Sequence, residues 1–362
     1  MKVLIIGSGM MAKAAAFDLV KNNQLTSLNI ASNNLAEAQD LKNWLLSDKV
    51  SISLLDARSK ESSSQTMTDR DVAISCVPYK HNFTLATAAI ASRTHFIDLG
   101  GNNDIVAKEL QLHDTAKKAG ILIVPDCGLA PGLVSIFTKQ LIEELGEVDS
   151  IHLRVGGLPQ TPHGLLNYEK VFSIKGLINE YIEPVTLIKN YKEQIVEPLE
   201  ELEEISFPSP YGPMEAFTTS GGTSTLCKSY AGTINTLDYK TIRYKGHLHA
   251  LKKLIIDHPP FEALEHKLNA LLNEGKEDVV FLKAWAIKEG RRYEYEIIDK
   301  YDAHTQLTAM MRTTAFPATV LASLICQGEI RTTGAQTQEH FAPAATILQE
   351  LKQRGIAIKK NF

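Results

Sequence analysis

Apolar runs and helical periodicity alternate along the first third of the chain. Residues 3–6 form a short continuous apolar run, after which Met11, Ala15 and Leu19 recur at the spacing of one helix face. Similar runs lie at residues 27–31, 50–55, 71–76, 95–99 and 121–124, separated by segments of helical pattern. Short apolar runs of this kind are typical of buried parallel strands. The pattern therefore predicts an α/β fold with a doubly wound parallel sheet, the Rossmann arrangement.

The pattern changes near residue 130. Alternating polar and apolar positions then predict strands at 150–157 and 238–247 and a hairpin across Glu289-Gly290. The acidic residues 183–210 predict a solvated face or a connector, and two helical patterns close the chain. We therefore expect a dinucleotide-binding domain over residues 1–130 and a second domain over residues 131–310.

The first apolar run leads into the spacing Gly7-x-Gly9-x-x-Ala12. Between a buried strand and a helix, the first glycine allows a tight turn and the second leaves room for a pyrophosphate. The helix N-terminus then faces the phosphates with its N–H groups, whereas a structural glycine turn is the alternative. The residues expected to bind the cofactor here are Gly7, Ser8, Gly9, Met10 and Met11.

Residues after the next three strands are expected to contact the rest of the cofactor. Ser32 and Asn33 stand where an acidic residue often holds the ribose 2′-hydroxyl of NAD. Because no carboxylate stands there to repel a 2′-phosphate, we expect NAD(P) with NADP slightly favoured. An Asn-rich turn that caps the next helix is the alternative. The other expected contacts, with a helix cap as the alternative for the first, are Asp56, Ala57, Cys76, Val77 and Pro78.

Titratable residues follow the fourth, fifth and sixth strands, at the edge where open α/β sheets bind ligands. Asp98 and Asp126 each stand at the carboxyl end of a strand. Two carboxylates beside a cofactor suit acid–base catalysis, although each also fits a turn or cap. Tyr79 and His81, in the loop after the fourth strand, are candidates for the substrate pocket or ordinary surface residues.

The second domain offers two candidate substrate segments. Residues 217–225 are mainly glycines and small hydroxyl residues, which form either a flexible loop or a backbone cradle. Thr219 and Ser220 are the candidate contacts there. Arg243 lies on an alternating strand, and its guanidinium fork can bind a carboxylate through two hydrogen bonds. Spacing alone favours an exposed structural arginine.

Composition narrows the classes of partner. The 362 residues suit two domains, and the net charge of −4 with a pI near 6.3 argues against nucleic acid. The four cysteines have no Cys-x-x-Cys spacing, so we expect neither a disulfide framework nor a metal site. No apolar run approaches the ~18 residues of a membrane span, and the chain opens on a predicted strand rather than a signal peptide. We expect a cytoplasmic homodimer with a small-molecule substrate and no membrane partner.

Four segments resemble the saccharopine dehydrogenase-like superfamily, closest to its L-lysine 6-dehydrogenase branch: residues 98–101, 125–132, 219–225 and 239–247. The resemblance extends from residue 1 to about residue 355. It implies an inserted α+β domain for substrate and dimerisation, and C-terminal helices over residues 311–362 that return to the Rossmann domain. Two departures bear on function. Ser32 replaces an aspartate of the lysine dehydrogenases, and Ala130 replaces a carboxylate in the pocket turn of the saccharopine reductases.

The resemblance implies an oxidoreductase that acts on an amino-acid C–N bond. Our first hypothesis is oxidation of the ε-amine of L-lysine to the 6-semialdehyde. Asp126 or Asp98 takes the amine proton, Arg243 holds the α-carboxylate, and Thr219 and Ser220 donate hydrogen bonds. The alternative is an NADPH-dependent reductase that forms a C–N bond, of the saccharopine or carboxynorspermidine type. A dinucleotide-binding regulator without turnover is the third hypothesis, which the pocket carboxylates disfavour.

Overall fold

The computed structural model describes residues 1–257 and 260–362. The chain forms two compact units. The first contains Met1–Ile136 and Met311–Arg354, and the second contains Phe137–Met310 and Gly355–Phe362. Each unit is therefore built from segments that are far apart in the sequence.

A parallel sheet forms the centre of the first unit. Its first six strands are β1 (Lys2–Ile6), β2 (Ser27–Ser32), β3 (Val50–Leu54), β4 (Val72–Ser75), β5 (His95–Asp98) and β6 (Leu122–Val124). They pair in the order β3-β2-β1-β4-β5-β6, and every pairing is parallel. The strand order reverses between β1 and β4, and ligands of such sheets bind outside the carboxyl ends of the strands at this point. The predicted doubly wound Rossmann fold is confirmed.

Helices cover the two faces of this sheet. They are α1 (Met10–Val20), α2 (Leu35–Leu45), α3 (Lys60–Met67), α4 (Asn82–Ser92), α5 (Asn103–Leu110) and α6 (His113–Ala119). The sequence pattern of residues 104–119 predicts one helix capped by Asp104, whereas the structure has two helices there. The side chain of Asn102 caps α5 by accepting hydrogen bonds from the N–H groups of Asp104 and Ile105, so Asp104 itself is not the cap.

A mixed sheet forms the second unit. Its elements up to residue 300 are α7 (Leu133–Leu145), which begins in the first unit, β7 (Ser150–Pro159), α8 (Ile174–Ile182), β8 (Val185–Lys189), β9 (Lys192–Val196), β10 (Glu203–Phe207), β11 (Gly212–Thr218), α9 (Leu226–Tyr230), β12 (Thr236–Arg243), α10 (His247–Asp257), α11 (Phe261–Leu271), β13 (Asp278–Lys288) and β14 (Arg291–Lys300). The predicted hairpin is the β13–β14 pair. The acidic stretch over residues 183–210, predicted as a solvated face or a connector, contains the three strands β8, β9 and β10 and is not a connector.

The chain then returns to the first unit. This segment contains α12 (Ala309–Cys326), β15 (Gly334–Ala335), α13 (Gln338–Phe341) and α14 (Ala344–Gln353). Strand β15 extends the parallel sheet beside β6. Asp18 of α1 accepts a hydrogen bond of 2.6 Å from Oγ1 of Thr319 and one of 2.8 Å from Nε of Arg354. These buried contacts join the C-terminal helices to the helix that follows the glycine turn.

The last residues of the described chain depart from the expectation that all of 311–362 belongs with the Rossmann domain. A final strand, β16 (Ile358–Asn361), pairs with β14 of the second unit. The ring of Phe362 contacts the rings of Tyr293 and Tyr295 on that strand, with centroid distances of 5.4 Å each. Pairing with β16 satisfies backbone groups at the edge of β14, and the Phe362 ring adds aromatic contacts to this pairing.

One helix within the described residues has the length and apolar composition that a membrane span requires. This is α12, whose mean hydropathy is 1.3 over 18 residues, so the expectation that no segment approaches this length was wrong. The helix continues through Pro317. Because 89% of it is buried inside the protein, its apolar composition is that of a core helix.

Candidate active site

The glycine turn after β1 has the geometry that its sequence predicts. Gly7 has a φ of +113°, and a Cβ atom there would lie 3.0 Å from the carbonyl oxygen of Cys76. A Cβ atom on Gly9 would meet no atom within 4 Å. Gly7 is therefore required by the fold, whereas Gly9 leaves open space in front of α1.

The N-terminus of α1 fits an anionic group. Helix α1 begins at Met10, its N-cap residue Gly9 supplies no side-chain hydrogen bond, and its first turn contains no acidic residue. Met10 is exposed, and Met11 is half-buried. The backbone N–H groups of this turn, together with the space beside Gly9, suit a dinucleotide diphosphate.

A carboxylate that the sequence analysis missed lies near the end of β2: Glu37, in the first turn of α2. Oγ of Ser8 lies 2.9 Å from Oγ of Ser32 and donates a hydrogen bond of 2.7 Å to Oε2 of Glu37. Asn33 is exposed, while Asn34 caps α2 and so confirms the capping role of this turn. Position 32 itself has no carboxylate, as predicted, but Glu37 brings one to the neighbouring Ser8. The spacing of Glu37 three residues after the cap Asn34 is a capping-box pattern and could have located it.

Asp56 follows the third strand but does not cap the next helix. Its carboxylate accepts hydrogen bonds of 2.9 and 2.8 Å from Nε and Nη2 of Arg58, and these bonds lower its pKa to about 2. The cap of α3 is Ser59, whose Oγ accepts from the N–H group of Ser62. Ala57 is half-buried beside this turn. An adenine contact for Asp56 and Ala57 remains a prediction.

The end of β4 lies directly against the glycine turn. A Cβ atom on Gly7 would meet the carbonyl of Cys76 and, at 3.2 Å, Cγ1 of Val77. Burial raises the pKa of the Cys76 thiol to about 12, so it stays neutral. The structure thus brings Cys76 and Val77, followed by the exposed Pro78, beside the expected diphosphate position.

A short 3₁₀ helix (Tyr79–His81) follows β4. The ring of Tyr79 packs against Gly101, where a Cβ atom would lie 3.0 Å from Cδ1 of the ring. His81 is half-buried, and burial together with the charge of Lys80 lowers its pKa. Tyr79 therefore lies next to the turn after β5, at the edge of the sheet where Asp98 and Asp126 also lie.

Asp98 and Asp126 come together at the ends of β5 and β6. Oδ1 of Asp98 accepts hydrogen bonds from the N–H groups of Gly100, at 2.6 Å, and Asp126, at 3.3 Å. Asp126 has a φ of +61°, and its Oδ1 would lie 2.1 Å from a Cβ atom on Gly100. Asp98 is fully buried, and burial raises its pKa to about 6. A carboxyl group with this pKa exchanges protons readily near neutral pH.

Glu109 is a third buried carboxyl group, which the sequence analysis missed. It lies on α5 with no solvent exposure and within hydrogen-bonding reach of Asp98. Burial and the charges of Asp98 and Asp126 raise its pKa to about 11. The helical spacing could have revealed it, because Glu109 shares the inward face of the helical pattern with Val106 and Ala116.

Arg243 is buried in the second unit, so the expectation of an exposed strand arginine was wrong. Its Nε donates to the hydroxyl of Tyr181 at 2.9 Å, and its Nη1 donates to the carbonyl of Ile242. The Tyr181 hydroxyl lies 3.1 Å from Nε2 of His247. Burial and the charge of Arg243 lower the pKa of His247 to about 3, so its neutral ring can accept this hydrogen bond. Nη2 of Arg243 lies 3.6 Å from a carboxylate oxygen of Glu180.

Thr219 lies near Arg243, whereas the hydroxyl of Ser220 is occupied. Oγ1 of Thr219 is 2.7 Å from Oγ1 of Thr241, which shares a strand face with Arg243. Ser220 donates its hydroxyl proton to the carbonyl of Asn179 at 3.0 Å. The loop is therefore held by hydrogen bonds within the unit, and a substrate contact remains a prediction for both residues.

A doubly wound sheet and a glycine turn before an uncapped helix define a dinucleotide-binding protein of the Rossmann class, with buried carboxyl groups at the ligand edge of its sheet. Two family models match the chain: the saccharopine dehydrogenase NADP binding domain over residues 3–124 and the saccharopine dehydrogenase C-terminal domain over residues 128–356. The chain therefore belongs to the saccharopine dehydrogenase family, whose members are oxidoreductases acting on CH–NH groups. The expected cofactor, NAD(P) with NADP favoured, is confirmed by the first of these models.

Two curated relatives illustrate the family. The chain is 26% identical to bovine mitochondrial alpha-aminoadipic semialdehyde synthase over 293 residues, which cover 75% of this chain and 30% of the relative. It is also 26% identical to the NADP(+)-dependent, L-glutamate-forming saccharopine dehydrogenase of Saccharomyces cerevisiae over 264 residues, which cover 70% of this chain and 57% of the relative. The chain thus spans from a third to just over half of these proteins. Neither is named as a lysine 6-dehydrogenase.

A solved structure shows the same fold. The apo form of saccharopine dehydrogenase (L-Glu forming) from Saccharomyces cerevisiae aligns with a TM-score of 0.79 at 19% sequence identity. The alignment covers 100% of both chains. The superfamily resemblance that the motifs carry is therefore confirmed in both sequence and fold.

Proposed function

We propose that this protein is an NADP-dependent dehydrogenase that makes or breaks the secondary C–N bond of an amino acid of the saccharopine type. The observation that carries the proposal is the buried carboxyl group of Asp98 at the carboxyl edge of a sheet that matches the family's NADP binding domain. The named relatives act as saccharopine dehydrogenase and alpha-aminoadipic semialdehyde synthase, which supports this substrate class.

The first unit would hold the cofactor and the proton. Gly7 makes the turn, Gly9 leaves space, and the N–H groups at the start of α1 bind the diphosphate. When bound, the dinucleotide supplies hydride transfer. The substrate nitrogen titrates near ~10 as a free amine, so it must lose a proton before oxidation. Asp98, with its pKa near 6, can accept that proton at neutral pH and return it in the reverse direction.

The second unit would bind a substrate carboxylate through Arg243. The hydrogen bonds to Tyr181 and the Ile242 carbonyl fix the guanidinium plane. Its remaining edge faces Glu180 only at 3.6 Å, longer than a direct hydrogen bond. Burial raises the pKa of Glu180 to about 7, so part of the population carries no competing charge at neutral pH. A substrate carboxylate can then take the bidentate position.

A second candidate is the oxidation of L-lysine at its ε-amine. The observation that favours it is Ala130, which stands where the saccharopine reductases carry a carboxylate. The turn from Pro125 to Gly132 therefore has one negative charge fewer than the same turn of those reductases with which to bind the polar groups of a long substrate. This candidate uses the same proton acceptor and the same carboxylate-binding arginine, but needs a smaller substrate.

A substrate panel tests the proposal. The purified full chain would be assayed for NADP⁺ and NAD⁺ reduction with saccharopine, L-lysine and a simple diamine, and for NADPH oxidation with an amino-acid semialdehyde plus glutamate. We expect turnover of saccharopine with release of glutamate. Turnover of lysine alone would select the second candidate, and tight dinucleotide binding without turnover would select a regulator.

A further inference from the structure

Burial of the Glu109 carboxyl group is unfavourable in free energy if the group is ionised. It has no solvent exposure, and within the described residues neither of its carboxyl oxygens has a hydrogen-bond partner from an N–H or hydroxyl donor. The same holds for Oδ2 of Asp98, whose Oδ1 is occupied by two backbone N–H groups. An ionised carboxylate left in this state is strongly destabilising.

The charged groups that act on Glu109 do not relieve this cost, because both are acidic. They are Asp98, at the end of β5, and Asp126, in the turn after β6. Two other titratable groups lie nearby: Cys127, a buried thiol in the same turn whose pKa burial raises, and Glu339 of α13, whose charge acts on Cys127. The charges that raise the pKa of Glu109 and Cys127 thus come from acids.

One proton bound between Glu109 and Asp98 would satisfy an unpartnered oxygen of each group. Two carboxyl groups in contact inside a protein cannot both ionise, and they titrate as a pair. If Glu109 is protonated, its O–H group can donate to Oδ2 of Asp98, which supplies the missing hydrogen bond of both groups at once.

We propose that Glu109 stays protonated and donates a hydrogen bond to Oδ2 of Asp98, so that the two groups hold one shared proton and Glu109 positions Asp98 for proton exchange. The exchange with a substrate nitrogen rests on the proposed function. The shared proton itself does not. Glu109 is thus a positioning residue that keeps Asp98 fixed and gives it a donor without adding a second negative charge.

Thermal unfolding as a function of pH tests the shared proton without any substrate. The folded protein keeps a proton that an unfolded glutamate loses above about pH 4.3, so the wild-type stability should fall as pH rises from about 5 to about 9. Glu109→Gln keeps a donor and cannot ionise, so its melting temperature should fall less, and the gap between the two should widen with pH. Asp104→Asn, an exposed acid on the same helix, is the matched control and should follow the wild type.

Infrared absorption provides a measurement that needs no variant. We expect a protonated carboxyl C=O band in the wild type that persists near pH 8, almost four units above an ordinary glutamate pKa of about 4.3, and is lost in Glu109→Gln. Parallel melting curves for wild type and Glu109→Gln would overturn the proposal. If Glu109→Gln does not fold, the absence of this band from the wild type would do so alone.

The pH profile of kcat/KM tests the positioning role. Glu109→Gln should leave the apparent pKa of the acidic limb in place, because the amide still donates to Asp98. Glu109→Met should raise that pKa, because Asp98 is then buried without the donor. A downward shift in Glu109→Gln would mean that Glu109 carries a charge and would overturn the proposal. Absence of turnover with every substrate would instead overturn only the proposed function, since the unfolding and infrared results stand without it.

Discussion

Two clusters of buried acids, one in each unit, show opposite shifts of pKa. In the second unit, Arg154 is 2% exposed and donates to Asp238 at 2.8 Å and to Glu203 at 2.5 Å. Burial alone would raise the pKa of Asp238, but His152 and Arg154 outweigh it and lower that pKa instead. In the first unit, the charges that act on Glu109 are those of other acids, and its pKa is raised.

The difference shows what decides the state of a buried acid. Depth is similar in both places, so the presence of a cation determines whether the carboxyl group is charged. Charged and paired acids join the strands of the second unit. Asp98 and Glu109 of the first unit have raised pKa values instead, and such groups can exchange protons, which the proposed function requires.

Removal of the cation from the paired cluster of the second unit should have the largest effect. Arg154→Met leaves Asp238 and Glu203 without their shared partner, and we expect a loss of about 3–5 kcal/mol in the free energy of unfolding. Denaturant titration measures it. The loss should shrink below about pH 4, because the lowered pKa of Asp238 contributes stability only above its unfolded value of about 3.9 and loses it as pH falls.

The control for Arg154→Met is an exposed ion pair. Lys252→Met removes a pair with Glu200 whose side chains are 43% and 60% exposed. We expect at most about 1 kcal/mol from it. Similar losses in the two variants would mean that pairing at Arg154 does not determine the state of the buried acids.

The open space beside Gly9 should affect cofactor binding rather than the stability of the fold, because no protein atom lies within 4 Å of a Cβ atom there. Gly9→Val should weaken NADPH binding at least about 100-fold, or about 2.7 kcal/mol, while the melting temperature stays near that of the wild type. Gly7→Val should instead destabilise the fold, since its Cβ atom would meet the Cys76 carbonyl. Calorimetric titration and thermal unfolding measure both, and unchanged affinity in folded Gly9→Val would contradict the assigned site.

Arg243 is a buried cation like Arg154, but its carboxylate neighbour Glu180 lies at 3.6 Å, beyond direct hydrogen-bonding contact. Arg243→Lys keeps the charge but loses the fork, so kcat/KM for amino-acid substrates should fall roughly 10–100-fold, about 1.4–2.7 kcal/mol. A diamine without the α-carboxylate should be poor with both enzymes. Arg154→Lys is the matched variant, which should lower stability without discriminating between these substrates. Equal losses on both substrates in Arg243→Lys would assign Arg243 to the fold.

Glu37 is an acid with a hydroxyl partner, and it should give the smallest effect. Its carboxylate accepts a hydrogen bond from Ser8, whose hydroxyl also contacts Ser32, and would repel a 2′-phosphate bound at the end of β2. Glu37→Gln should raise the affinity ratio of NADP over NAD roughly 3–10-fold, about 0.7–1.4 kcal/mol, and Ser32→Asp should lower that ratio. Titration with both reduced cofactors measures it. An unchanged ratio in both variants would place the 2′-position elsewhere.

The sequence predicts those parts of the site that depend on local structure. The strand, glycine turn and helix over residues 2–20 are adjacent in the chain, so their spacing alone defines their geometry. Asp98 and Asp126 meet because β5 and β6 are neighbouring parallel strands and end at the same edge. Both results follow from the doubly wound order and need no knowledge of distant contacts.

The missed features depend on partners far away in the chain. The acidic stretch that contains Glu203 and Glu204 forms a strand because Arg154, Lys240 and Lys245 of other elements neutralise its charges. Arg243 is buried because Tyr181 accepts its hydrogen bond across 62 residues. Periodicity within a short window contains no information on such partners, so the connector and the exposed arginine were the wrong interpretations.

The discontinuity of the first unit has a consequence for biosynthesis. Residues 1–136 of the first unit are synthesised before the rest of that unit. At that stage, β6 lacks its neighbour β15, and Asp18 lacks its partners Thr319 and Arg354. During translation of the whole intervening unit, an open strand edge and a buried aspartate position lack their partners. We therefore expect nascent chains that end before residue 311 to need chaperone protection, which complete chains no longer need once translation passes residue 354.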